Sequence, residues 1–294
     1  MQDAITADWP GPRRARTLAV LGDSVAVGIG DPVIGGRWRG FAPLLADALG
    51  AARLANLATS GARVAAVHDT QLPAALHAAP DAAVLMVGMN DTMRSDFDAT
   101  LLRQQLNAVV HALTTAGTVV VTIRYHDHSR VFRLPGPLRH ALTRRIGELN
   151  RILAAVAEEH AAGVVDLDRL PGVYRPEAWS VDRLHPSELG HRMLAAAFAD
   201  RLGAAGLAVP GEVSLECSGG ARASGFDHFR WLVAKGLPWL FGRGHDLARY
   251  ALTTLVRDAL RRREPTPLSA ADFRRHSGVR GSGPSGQELV QGDR

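Results

Sequence analysis

Over its first two hundred residues the chain alternates short apolar runs with longer segments of helical periodicity, and this alternation narrows the possible folds more than any other feature. The apolar runs lie at 17–22, 52–57, 82–87, 118–123 and 164–168, and the amphipathic segments at 41–49, 63–78, 98–115, 138–161 and 187–202. A run such as Ala82-Ala83-Val84-Leu85-Met86-Val87 offers apolar side chains to both faces, which suits a strand covered on each side. Strands and helices in regular succession predict a parallel sheet with helices on both faces, a doubly wound α/β domain. The sequence contains no internal repeat.

That architecture directs attention to particular loops, because open parallel sheets bind ligands outside the carboxyl ends of their strands. The loop after the first strand carries Gly22-Asp23-Ser24, and the second carries Asn56 to Gly61. The third carries Gly88-Met89-Asn90-Asp91, and the fourth Arg124-Tyr125-His126-Asp127-His128. After the fifth, ahead of the last helix, comes Asp182-Arg183-Leu184-His185-Pro186. All are predicted on one rim.

Together these loops supply the parts of an acyl-transfer site. Ser24 is a hydroxyl in need of a base, His185 can be that base, and Asp182 can hold the imidazole tautomer and stabilise the imidazolium. Backbone N–H groups at Ser24 and Gly61 and the amide of Asn90 are suitable oxyanion donors, since none has to ionise. Taken singly, each has a plainer reading. Ser24 and Gly61 can be turn residues, Asn90-Asp91 an Asx turn or a helix N-cap, and His185 a surface residue before the helix-initiating Pro186. Asp23 and Asp91 are expected to brace backbone N–H groups, and His191 to be a solvated or capping residue. His126 and His128 are candidates for substrate contact on the same rim. Trp38 is a candidate for the pocket wall, with core packing as the alternative. The glycines between 28 and 36 fit neither a dinucleotide fingerprint nor a phosphate loop.

In this order the blocks resemble those of the SGNH hydrolases, the GDSL-type esterases and lipases. Gly22-Asp23-Ser24 matches the first block, with Val25 where the family name has leucine. Asn56 to Gly61 matches the second, Gly88 to Asp91 the third, and Asp182 to His185 the last. The resemblance covers residues 17 to about 205. It implies a three-layer flavodoxin-like fold, with Ser24 as nucleophile, Ser24, Gly61 and Asn90 as oxyanion donors, and Asp182 and His185 as orienting acid and base. A serine esterase without metal or cofactor is therefore expected, acting on a small-molecule, lipid or carbohydrate ester. Acyl transfer to a sugar or other alcohol is the first alternative. The second is a non-catalytic protein that binds a membrane or a partner.

Composition bounds the setting. The single Cys217 cannot form an internal disulfide, and Gln2 to Arg16 is polar and rich in Pro and Arg rather than leader-like, so a cytoplasmic location is expected. No stretch is apolar for long enough to cross a bilayer. Residues 1–210 hold 21 basic and 20 acidic side chains, against 13 and 9 in residues 211–294, so the excess positive charge sits mainly in the tail. The body has neither a basic stripe interleaved with aromatics nor zinc-finger spacing, which argues against a nucleic-acid partner. The boundaries read as a flexible start at 1–16, the α/β domain at 17–208 and a Gly/Ser-rich linker at 209–225. A basic, aromatic helical extension follows at 226–263, able to touch a membrane surface or pack on the domain, and then a disordered tail at 264–294.

Overall fold

The structure is a computed structural model that describes residues 11–33, 37–131 and 136–218. The expectations placed on 226–263 and 264–294 lie outside the described residues. Five strands form one all-parallel sheet in the order β2-β1-β3-β4-β5: β1 (Thr17–Gly22), β2 (Arg53–Asn56), β3 (Ala82–Met86), β4 (Val119–Arg124) and β5 (Gly163–Asp166). This is the flavodoxin-like order, with a switch point between β1 and β3. Register is set by pairs such as Val20 with Asn56 on one side of β1 and Leu21 with Leu85 on the other. β1 and β3 are buried along their whole length, whereas the edge strand β2 leaves most of its side chains exposed. The sequence run at 52–57 is correspondingly the least apolar of the five.

Five helical stretches follow the predicted periodicity, α2 (Phe41–Leu49), α3 (Val64–Ala66) with α4 (Leu72–Ala78), α6 (Ala99–Thr115), α7 (Gly136–Glu159) and α8 (Glu188–Ala204), and two short helices, α1 (Ser24–Val27) and α5 (Met89–Thr92), lie where the sequence predicts loops. α2 packs on α8, while α6 packs on α7 and α3, so two groups of helices flank the sheet. Phe41 and Phe198 meet between α2 and α8, with ring centroids 5.1 Å apart, and both are fully buried. The long helices begin where capping chemistry allows. Asp98 accepts from Thr100 N and Leu101 N ahead of α6, and Ser187 accepts from Gly190 N ahead of α8.

Both edges of the α/β domain carry hydrogen bonds to its surface. Arg13, assigned to the flexible start, bridges to Leu207; its N–H donates to Gly206 O at 2.9 Å and its guanidinium to Asp81 O at 2.8 Å. The described start of the linker is equally tethered. Gly211 N donates to Ala48 O, Arg192 to Ser214 O, and Ser218 to the Glu188 carboxylate. Backbone polarity that reads as loop in sequence is satisfied here by the domain's own surface groups.

The amphipathic segment at 63–78 is one bent element, because a π-turn at Val67–Gln71 joins α3 to α4. Such turns insert an extra residue and re-aim the side chain at their end. Here that side chain is Gln71, buried to 3 % exposure. Its Oε1 accepts from Gly22 N at 2.8 Å, and its Nε2 donates to Gly22 O at 3.0 Å and to Thr59 Oγ1 at 3.1 Å. One amide thus joins the end of β1 to the loop after β2. Gln71→Leu should leave Gly22 N–H buried without an acceptor and lower the unfolding free energy by roughly 1–3 kcal/mol. Urea denaturation checks this, and an unchanged midpoint would show that the clamp carries no stability.

Candidate active site

Ser24 is the first residue of α1, separated from the end of β1 by Asp23 alone. Asp23, the N-cap, accepts from Val25 N at 3.1 Å, which fixes the turn and presents the serine hydroxyl at the sheet's carboxyl edge. The opposing group arrives from the other end of the chain. Residues 178–187 fold back on themselves through a bridge between Trp179 and Pro186 and through Ser180 N donating to His185 O at 2.9 Å. Gly30 lets this loop approach the serine segment, because a Cβ there would stand 2.0 Å from Pro186 O.

The loop brings His185 Nε2 to 2.8 Å from Ser24 Oγ and His185 Nδ1 to 2.6 Å from Asp182 Oδ2. Asp182 Oδ1 accepts from Ser180 Oγ, Leu184 N and His185 N at 2.7–2.9 Å. Partial burial raises the Asp182 carboxyl, but hydrogen bonding and attraction from His185, with the N–H and hydroxyl donors, outweigh it and hold the pKa at about 2. An ionised Asp182 can only accept, so Nδ1 carries the imidazole proton and Nε2 is left to receive one from Ser24.

Gly61 and Asn90 line the same cavity as Ser24. Gly61 adopts φ +77° with open space where a Cβ would go, so its conformation and not crowding favours glycine. Among the described residues, the N–H groups of Ser24 and Gly61 have no acceptor. Asn90 Nδ2 donates to Ala62 O at 3.1 Å and, more weakly, to Asp23 Oδ2 at 3.3 Å. Burial raises the Asp23 carboxyl to about 6, despite the opposing pull of Val25 N–H and His185. Asp91 accepts from Val64 N at 3.2 Å and Arg63 Nε at 3.1 Å. Both acids therefore brace backbone N–H groups, as expected from the sequence.

The remaining candidates divide. His126 and His128 are buried in the cavity wall, at 3 % and 5 % exposure, and not in a solvated loop. Trp38 neither lines the cavity nor joins the core, and is 45 % exposed. His191 is fully buried, not solvated: its Nε2 donates to Ile29 O at 3.0 Å and its ring stacks on Phe41. It lies on the inner stripe of α8 with Leu194, Ala195 and Phe198, a periodicity that the sequence displays. Burial lowers its pKa to about 4.

The cavity measures about 460 Å³, and its wall is mainly apolar, with Met86, Leu142, Leu167, Leu170 and Met193 around the polar floor. Sequence reasoning missed these residues, and with them Gln71 and Trp179. The leucines and methionines read as ordinary core positions. Gln71 left a signal, a polar residue among the apolar positions of 63–78. Among the described residues no cluster of His, Cys, Asp or Glu is suited to a metal ion, and no helix is long and apolar enough to cross a membrane.

The sequence model of the GDSL-like lipase/acylhydrolase family matches residues 20–193, more than half of the chain. The chain belongs to this family. It is accordingly an enzyme that hydrolyses ester bonds. The fold of this GDSL-like hydrolase is similar to that of LAE5, an alpha/beta hydrolase from the metagenome of Lake Arreo, Spain. Identity is 21%, the match covers 65% of this chain and 96% of that one, and the TM-score is 0.53. It is also similar to Axe2, an acetylxylan esterase from Geobacillus stearothermophilus, at 20% identity, with 64% and 94% of the two chains covered and a TM-score of 0.51. Comparison with curated proteins found no match at the required significance.

The shift at Asp182 has a sign that stability measurements can read. Its folded pKa lies below the usual 3.8, so its contribution is complete above about pH 4 and is lost as pH falls through 2. Asp182→Asn should be less stable than wild type at pH 7 by on the order of 2 kcal/mol, with the gap closing between pH 4 and pH 2. Denaturant titrations across that range check the window; a gap independent of pH would assign the loss to packing.

Proposed function

We propose that this GDSL-like hydrolase cleaves carboxylic esters through an acyl-enzyme on Ser24. The observation that carries this reading is the continuous hydrogen-bonded line Ser24–His185–Asp182, with steps of 2.8 and 2.6 Å, at the floor of the apolar cavity. Ser24 Oγ attacks the acyl carbon as its proton passes to His185 Nε2, and Asp182 stabilises the resulting imidazolium. The former carbonyl oxygen, now an oxyanion, accepts from Ser24 N, Gly61 N and Asn90 Nδ2, which exchanges its weak contact with Asp23 for this stronger one. His185 then protonates the leaving alcohol as the C–O bond breaks. In the second half His185 takes a proton from water, the hydroxide adds to the acyl carbon, and collapse returns the proton to Ser24 and releases the acid.

The mainly apolar wall favours an aliphatic ester. Acetylxylan, the substrate named for Axe2, is polar along its length and complements such a wall poorly. Water is taken as the acyl acceptor, so adding short alcohols should not divert product from acid to ester; an acceptor-dependent ester product would mark a transferase.

A fluorophosphonate probe should add one adduct, on the peptide containing Ser24. Asp182→Asn should lose about four orders of magnitude in turnover through the wrong imidazole tautomer, and Asn90→Ala about 10²–10³-fold through a lost oxyanion donor. Mass spectrometry and steady-state kinetics on folded variants check these outcomes. Stoichiometric labelling elsewhere, or near-wild-type turnover by Asp182→Asn, would overturn the assignment.

A further inference from the structure

The register of β1 with β2 ends at Val20 and Asn56. Two residues further on, Gly22 N donates to Gln71 Oε1 at 2.8 Å and Gly22 O accepts from Gln71 Nε2 at 3.0 Å. One side-chain amide thus takes both polar groups of one residue, the part that a neighbouring strand plays along the rest of β1. No side chain fits at Gly22 itself, where φ is +152° and a Cβ would stand 2.2 Å from Met86 O. The same Nε2 donates to Thr59 Oγ1 at 3.1 Å, and Thr59 N donates to Gly22 O at 3.2 Å.

A buried amide is an unusual choice at this place. The other inward positions of 63–78 hold Val64, Val67, Leu72 and Ala75. The π-turn at Val67–Gln71 aims the one polar side chain among them at the end of β1, and turns of this type occur often at functional sites. Its orientation is settled by its partners, because reversing the amide would set an NH₂ against Gly22 N–H.

The partners of Gln71 lie just upstream of the oxyanion donors. Gly22 stands two residues before Ser24, and Thr59 two residues before Gly61. Thr59 also opens a β-turn that Ala62 N closes by donating to Thr59 O at 3.0 Å, with Gly61 in its third position at φ +77°. At the end of that turn Ala62 O accepts from Asn90 Nδ2 at 3.1 Å. Ser24 N, Gly61 N and the Asn90 amide are thereby referred to one common anchor.

We propose that Gln71 is a positioning residue for the oxyanion site: its amide sets the separation of Ser24 N and Gly61 N and, through Ala62, the place of Asn90. This rests on the acyl-enzyme reading of the same site and adds to it the residue that keeps the donors in register. Gln71 does not line the cavity and acts only through the backbone it holds. Its loss should therefore fall on the transition state, where one oxygen needs all the donors together, and spare the binding of the neutral ester.

Gln71→Met keeps the length of the side chain and removes both polar ends. On the full chain with p-nitrophenyl butyrate, the folded variant should lose roughly ten- to a hundredfold in kcat with KM close to wild type. A second readout compares two inhibitors within one enzyme, as the ratio of the Ki of a secondary alkyl alcohol to that of the matching trifluoromethyl ketone. Ser24 Oγ adds to the ketone carbon, its proton passes to His185 Nε2, and the carbonyl oxygen takes the negative charge; the alcohol forms no such adduct. In Gln71→Met the ratio should fall by the same roughly ten- to a hundredfold, with the Ki of the alcohol unchanged. Thr59→Val, at an exposed position, cuts only the third bond of the clamp and should lower the ratio by about two- to tenfold, which keeps the test decisive where Gln71→Met does not fold. A wild-type ratio in either folded variant overturns the proposal. Equal weakening of ketone and alcohol overturns it as well, because the cavity and not the oxyanion site has then changed. If wild type binds the ketone no more tightly than the alcohol and Ser24 resists fluorophosphonate, the acyl-enzyme reading itself falls, an outcome distinct from variants that keep the preference of wild type.

Discussion

The Ser24–His185–Asp182 geometry depends on how one carboxylate divides its two oxygens. Asp182 Oδ1 gathers the Ser180 hydroxyl and the N–H groups of Leu184 and His185, which shapes the loop. Oδ2 is thereby left to face the imidazole of His185. The same charge sets the backbone that positions the base and the tautomer that makes it a base. A neutral amide at 182 could serve one oxygen's partners but not both, because its NH₂ would face a donor. Arg183, at φ +57°, adopts the left-handed conformation at the turn that brings Leu184 N and His185 N back toward Asp182.

A second layer of support comes from the other end of the sheet's carboxyl rim. Gln71 ties the end of β1 to the loop after β2, Asp23 caps α1 and holds Asn90, and Asn90 reaches Ala62 beside Gly61. Three loops are cross-linked in this way by side-chain amides and a carboxylate, with few contacts between charged partners. Fixed dipoles of this kind need little reorganisation when negative charge develops on a substrate oxygen. The arrangement gives physical meaning to the four separated sequence blocks: each makes a hydrogen bond that holds a neighbouring block.

Periodicity made the five strands and the five long helical segments legible, since apolar runs and amphipathic stretches report burial directly. The residues proposed to react stand out in the sequence through their position at strand ends and their order along the chain. Three things escaped. His191, expected as a solvated or capping residue, lies inside because its spacing to Leu194 and Phe198 puts it on the buried stripe of α8. The burial of His126 and His128 depends on Trp179, more than fifty residues away, and no local pattern encodes that packing. The tethering of Arg13 and of residues 211–218 depends on carbonyls and carboxylates of α2, α8 and their flanking turns, which become neighbours only after folding.

Ser24 and His185 stand 161 positions apart, on loops that follow the first strand and precede the last helix. No fragment that stops short of residue 185 can hold both, and the crossovers between them must all be in place before the two side chains meet. Long-range parallel pairing of this kind forms slowly, after the local helices. With Ser24 and His185 in the roles proposed above, hydrolytic activity is a reporter of completed folding. On the mechanism proposed above, the nascent chain gains esterase activity only once the loop that carries His185 has left the ribosome and joined the sheet.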